Sequence, residues 1–179
     1  MLYDSVIDEE LAQMDKDAEA SQKVLEVIES QIPLRHLMRS CVTIDISAST
    51  QHAIDLLIGH HIGAAPVVEE GVLRGIFGER DVLRKVLNKQ VGDLTQIPVT
   101  QFMKADPQTA KPEDMLNTAV LYMARGGFRH LPIVDEQQHP IGMVSIRDVI
   151  SYLVEYFPQE VLTLPPNPVR DALKAREGA

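Results

Sequence analysis

The sequence predicts an α/β (α+β) chain made of two copies of a strand–helix–strand–strand–helix unit, with an extra N-terminal helix and a Pro-rich C-terminal tail. Three observations predict it. First, Gly142-Met143-Val144-Ser145-Ile146-Arg147-Asp148 recurs in weaker form as Gly75-Ile76-Phe77-Gly78-Glu79-Arg80-Asp81, at an offset of 67. Second, Ala119, Val120 and Met123 repeat Ala53, Ile54 and Leu57 at an offset of 66. Third, Ile97-Pro98 with Phe102-Met103 repeats Ile32-Pro33 with Leu37-Met38 at an offset of 65. The drift needs only two single-residue insertions, both in loops, where insertions are tolerated. Self-similarity at a fixed period is the mark of a repeat architecture. A copy of roughly 60 residues buries little surface alone. Two copies packed sheet to sheet about a pseudo-twofold axis would bury a shared core.

Taken in order, residues 8–30 read as a helix, because Leu11, Met14, Ala18, Leu25 and Ile28 recur at spacings of three and four once Ser21 takes the remaining seam position. Asp8, Glu9 and Glu10 suit the positive end of its macrodipole. The first copy opens at Ile32-Pro33 and continues with a short strand, Val42–Ile44. Ser47 or Ser49 can cap the next helix, whose buried face is Ala53, Ile54, Leu57 and Ile58. Strands Ala64–Val68 and Val72–Phe77 flank a tight turn at Glu70-Gly71, and a helix through Asp81, Val82 and Val86 closes the copy. In the second copy a strand is expected near Gln108–Ala110 and a helix from Pro112, a suitable first helical residue. Gly126-Gly127 reads as that helix's C-cap. The hairpin Asp135–Pro140 precedes the strand Ile141–Val144 and a helix over residues 147–156. Phe157-Pro158 ends the periodic pattern, and Pro165, Pro166 and Pro168 forbid an early helix in the tail. The expected organisation is an N-terminal helix (1–30), first copy (31–90), second copy (91–157) and tail (158–179).

Composition narrows the function classes. The 179 residues are 45% apolar but only 4% aromatic, so the core is aliphatic. A net charge of −9 argues against a nucleic-acid surface, which needs a basic footprint. It leaves room for a small basic pocket. Cys41 is the single cysteine, so no intrachain disulfide forms, as suits a reducing compartment. No apolar run approaches the roughly 18 residues of a membrane span. The acidic N-terminus is unlike a signal peptide. The expectation is a cytoplasmic protein without a membrane partner. His60-His61 is not read as a metal pair, because adjacent helical residues face apart and no further ligand completes a set.

The chemistry concentrates at Ser145 and Asp148. They fall where a strand ends and a helix begins, and there free N–H groups and the macrodipole favour an anion. A carboxylate in that place can accept hydrogen bonds from a sugar diol, or serve only as a cap worth about 1 kcal/mol. A catalytic reading lacks an assigned base, since His130 is the sole histidine with a place near Ser145.

Ile97–Met103 leading into Asp106–Thr109, then Phe128–Asp135, then Gly142–Asp148, with the weaker set in the first copy, resemble a tandem pair of CBS (cystathionine β-synthase) domains, a Bateman module. The likeness covers roughly residues 31–157. It implies two small CBS-type units with a cleft on each side of a pseudo-twofold axis, commonly dimerised and regulatory. Their clefts bind AMP, ADP, ATP, S-adenosylmethionine or NAD without turning them over, so no cofactor is required and no enzyme activity is implied. By the resemblance Asp148 holds the ribose hydroxyls, Ser145 a phosphate or the ribose, Thr109 the adenine edge, and Arg129 and His130 the phosphates, with Arg147 in the same turn. Asp81, Arg80 and Thr43 form a weaker second cleft. There Gly78 replaces the hydroxyl, and Gly63 and Ala64 replace the Arg-His pair. The implied partners are an adenosine-containing molecule, a second copy of the chain and an unnamed protein. The alternative is a dimerisation scaffold that binds no ligand.

Overall fold

The computed structural model describes residues 31–87 and 92–156. The helix expected over 8–30 and the tail of 158–179 lie outside them. Contacts group Ile32–Val149 into one compact unit, and Met1–Gln31 with Ile150–Ala179 into another. In the latter, the rings of Tyr152 and Tyr156 stack with centroids 4.5 Å apart.

The strands are β1 (Ile44–Asp45), β2 (Ala64–Glu69), β3 (Val72–Gly78), β4 (Lys104–Ala105), β5 (His130–Val134) and β6 (Pro140–Ser145). The helices are α1 (Thr50–Gly59), α2 (Glu79–Asp81, continuing as a wider turn over Val82–Val86), α3 (Leu116–Gly126) and α4 (Ile146–Tyr156). Local sequence explains most of the boundaries. Ser49 caps α1 by accepting from His52 N–H at 3.2 Å. Gly127, at φ 64°, ends α3 in the left-handed conformation, with its N–H on Met123 O. Glu70 and Gly71 both take positive φ, as the two-residue turn between β2 and β3 requires.

One sheet runs β1-β2-β3-β4. The other is the antiparallel pair β5-β6, extended at its edges by single bridges, Ala110 parallel to Ile133 and Arg39 antiparallel to Met143. The two sheets share one plan, because Arg39 and Lys104 are repeat counterparts. Each copy's lead segment therefore crosses to the other copy's sheet. Leu34 N–H donates to Asp114 O and Arg35 N–H to Pro112 O, which sets the first lead turn against the second copy. Val99 and Phe102, from the second lead turn, lie in one buried cluster with Ile44, Ala53, Leu57, Val67 and Phe77 of the first copy. The shared core is thus made by exchange of these segments. Thr50 is its one buried polar side chain among the described residues, and its hydroxyl donates to Ile97 O at 2.9 Å.

Three expected elements differ. The strand expected over Val42–Ile44 forms at Ile44–Asp45. The strand expected near Gln108–Ala110 is reduced to the single bridging residue Ala110, and Lys104–Ala105 is a separate short strand against β3. The helix expected from Pro112 begins at Leu116. The carbonyls of Pro112 and Asp114 are taken by the first lead turn, and Leu116 N–H goes to Ile32 O. Asp114 also closes its own turn by accepting from Lys111 N–H at 2.8 Å. Backbone groups spent this way are not available to a helical ladder. No helix among the described residues is long and apolar enough to cross a membrane.

Candidate functional site

Ser145 is the last residue of β6, paired with His130 of β5, and Ile146 opens α4. This join places Asp148 in the first helical turn, with its carboxylate turned back on Ser145. One oxygen, Oδ2, accepts from Ser145 N–H at 2.8 Å and from Ser145 Oγ–H at 2.5 Å. Ser145 Oγ in turn accepts from Asp148 N–H at 3.2 Å. This is a reciprocal cap. The other oxygen, Oδ1, has one partner among the described residues, the Nε–H of Arg39 at 2.5 Å. The Asp148 side chain is 11% exposed and that of Arg39 is 74% exposed. Burial pushes the Asp148 carboxyl up, but the Ser145 hydroxyl and N–H, with Arg39, together outweigh it and leave the acid below its ordinary value.

The neighbouring groups are basic. Arg129 and Arg147 are exposed, and both act electrostatically on His130. Arg129 is fixed by its carbonyl, which accepts from Ile146 N–H at 3.0 Å. His130 is half-buried; desolvation lowers its pKa, Arg129 adds to this, and Glu79 and Asp148 oppose it. Its ring takes the space beside Gly63: a Cβ there would lie 3.1 Å from His130 Cε1. The strand pairing and the turn into α4 thus bring together Ser145, Asp148, Arg147, Arg129 and His130 at one end of the β5-β6 pair. Thr109 precedes the bridging Ala110, and Thr43 precedes β1, so both stand where a lead segment passes from one sheet to the other. The lead segment that carries Thr43 reaches Asp148, through Arg39. The segment that carries Thr109 runs along β3, beside the first copy's turn.

That first-copy turn is built differently. Asp81 Oδ2 accepts from Gly78 N–H at 3.1 Å, matching the Ser145 N–H contact, but no hydroxyl is present. Oδ1 pairs with Lys85 Nζ at 2.7 Å. Arg80 is turned to α3 and donates to Gly127 O at 2.5 Å, where it satisfies the C-terminal end of that helix. Gly78 cannot simply be exchanged for serine, because a Cβ would sit 2.7 Å from Gly63 O.

Arg39 and Lys85 are the residues that sequence reasoning missed. The available signal for Arg39 was its basic repeat counterpart, Lys104. Lys85 has no such signal, since its counterpart is Tyr152.

Comparison with known proteins agrees with this architecture. The CBS domain family profile matches residues 34–88 and 99–155. The chain belongs to the CBS-domain family. The CBS domain-containing protein YhcV of Bacillus subtilis is 36% identical over 108 residues, covering 60% of this chain and 74% of that protein. Protein MJ1225 of Methanocaldococcus jannaschii is 31% identical over 123 residues, 68% of this chain but 42% of its own length. Among solved structures, the CBS domain pair of protein MJ0100, in complex with 5′-methylthioadenosine and S-adenosyl-L-methionine, superposes with a TM-score of 0.61 at 21% identity, over 68% of this chain and 98% of that one. CBSX2 in complex with AMP gives 0.63 at 19% identity, over 70% and 99%. At these identities the superpositions show the fold of a CBS pair.

Proposed function

We propose that this CBS pair is a non-catalytic sensor of an adenosyl ligand: AMP, ADP or ATP, or else S-adenosylmethionine or NAD. The observation that carries the reading is the second-copy turn. Among the described residues Asp148 Oδ1 is held there only by an exposed arginine, and Arg129, Arg147 and His130 stand close by in a chain of net charge −9. An arginine on a flexible stem can yield to a ribose hydroxyl, and the basic groups offer a phosphate charge-assisted contacts. The ligands of MJ0100 and CBSX2 support the adenosyl class. The crossing of the lead segments favours pairing Asp148 with Thr43 and Asp81 with Thr109, in place of the grouping of Thr109 with Asp148. The Ser145 hydroxyl donates to Asp148 Oδ2, a contact that completes the cap of the turn.

Signalling would pass through the shape of a homodimer or its affinity for a protein partner, and the ligand must favour one state over the other. An apolar groove of about 580 Å³ between α1 and α2, lined by Ile54, Ile58, Val82 and Leu83 among others, supports a face for a second copy. Ile58 and Leu83 are 65% and 63% exposed there, and outside the groove Leu87, Ile150 and Val154 are exposed as well. The same groove favours the scaffold reading, in which dimerisation is the whole function.

Thermal shift against AMP, ADP, ATP, S-adenosylmethionine and NAD separates the two. Ligand at about 100 times its Kd stabilises the folded chain by about 2.7 kcal/mol. A shift with one of these compounds, absent in Asp148→Ala, supports the sensor. A well-folded protein that none of them shifts leaves the scaffold.

A further inference from the structure

The helix after Asp81 departs from its counterpart after Asp148. Leu87 N–H donates to Val82 O at 2.9 Å, five residues back, so Val82–Val86 is a π-type turn. The matching stretch of α4 is regular. Such widened turns are uncommon and recur at functional positions. Lys85 lies within it. Its ammonium is 2.7 Å from Asp81 Oδ1, 2.6 Å from Phe102 O and 3.3 Å from Met103 O. An ammonium has three donors, and here each has an oxygen.

These oxygens come from both walls of the first cleft. Asp81 is the carboxylate of the turn. Phe102 and Met103 belong to the second lead segment, which joins the same sheet at Lys104–Ala105 beside Gly75 and Ile76. Lys85 therefore ties one wall to the other. At the second cleft the counterpart of Lys85 is Tyr152, and the cation on the aspartate is Arg39, which comes from the opposite wall. Lys85 is 38% exposed, about half the exposure of Arg39. A donor fixed to the same chain competes with any free ligand at a high effective concentration.

We propose that Lys85 is a built-in occupant of the first cleft, which fixes the stoichiometry at one adenosyl ligand per chain. The proposal deepens the sensor reading and rests on its premise that the aspartates of these turns take ribose hydroxyls. Without Lys85 the first cleft would take a nucleoside in preference to a nucleotide, because Gly63, Ala64 and Gly78 carry no phosphate ligand.

The test is equilibrium dialysis of the full chain with labelled adenosine, in an Asp148→Asn background that disables the second cleft. The background alone should bind none. Adding Lys85→Met should create one adenosine site per chain, lost again with Asp81→Asn. Lys85→Gln keeps a donor for the Phe102 carbonyl, so it guards against a misfolded methionine variant and should show the same gain in smaller measure. Wild type should bind one adenosine. Two per wild-type chain, or no gain in either Lys85 variant when circular dichroism shows it folded, overturns the proposal. Wild type binding none while the Lys85 variants gain a site overturns the second-cleft reading and the count of one per chain, and upholds Lys85 as the occupant of the first cleft.

Discussion

Gly142→Ala tests the exchange of lead segments directly. Gly142 and Gly75 are repeat counterparts, and both lie beneath the backbone of a crossing lead segment. A Cβ on Gly142 would sit 2.9 Å from Arg39 O, with Met38 Cβ at 3.5 Å. A Cβ on Gly75 would meet Lys104 O at 3.0 Å. The obstructing atom at Gly142 is backbone, and it is held: Arg39 O accepts from Met143 N–H at 2.9 Å and Arg39 N–H donates to Met143 O at 3.0 Å. The lead segment cannot move aside without stretching that pair. Overpacking of this kind costs about 1–3 kcal/mol. For a chain of this length it lowers Tm by roughly 3–10 °C. Gly59→Ala is the control, because a Cβ there meets nothing within 4 Å and the residue is helical. Alanine there should stabilise by up to about 1 kcal/mol. Urea melts of the three proteins decide the matter. A Gly142→Ala protein as stable as wild type would refute the crossing of the first lead segment over β6.

Further outcomes follow from the same geometry. Arg39→Ala removes a pair whose arginine is largely in solvent, so it should cost only about 0.2–1 kcal/mol in urea melts. The same variant should bind adenosine more tightly than wild type, since no side chain has to be displaced from Asp148. The Asp148 carboxyl titrates lower folded than unfolded, so its stabilisation is complete above the unfolded pKa of about 3.9 and fades as pH falls through the folded value. The stability difference between wild type and Asp148→Asn should therefore be constant from pH 7 to 5 and shrink toward pH 2. His130 runs the other way: its lowered pKa means the unfolded chain takes up its proton first, so acidification below about pH 6.5 should destabilise wild type more than His130→Gln. Leu83→Glu places a charge in the apolar groove and should convert a dimer to a monomer by light scattering, with the circular dichroism unchanged.

Much of the fold was legible because its signals are local. The cap at Ser49, the turn at Glu70-Gly71 and the C-cap at Gly127 depend on a few neighbouring residues. The join at Ser145–Asp148 was legible for the same reason, as its hydrogen bonds span three residues. The helix expected from Pro112 failed because the Pro112 carbonyl accepts from Arg35 N–H and the Asp114 carbonyl from Leu34 N–H, far away in the chain. Asp81 and Asp148 look equivalent as letters. They differ because Lys85 holds one and Arg39 the other.

The sequence by itself determined that there are two copies, which strand–helix joins carry an aspartate, and that the first copy lacks the hydroxyl and the Arg-His pair of the second. These are matters of residue type at fixed spacing. Only the tertiary structure decided which lead segment lies beside which aspartate. Arg39 reaches Asp148 across 109 residues of sequence, and Lys85 reaches Phe102 across 17. Those contacts depend on how two similar sheets share one core, and no local preference of the chain distinguishes the exchanged arrangement from the unexchanged one.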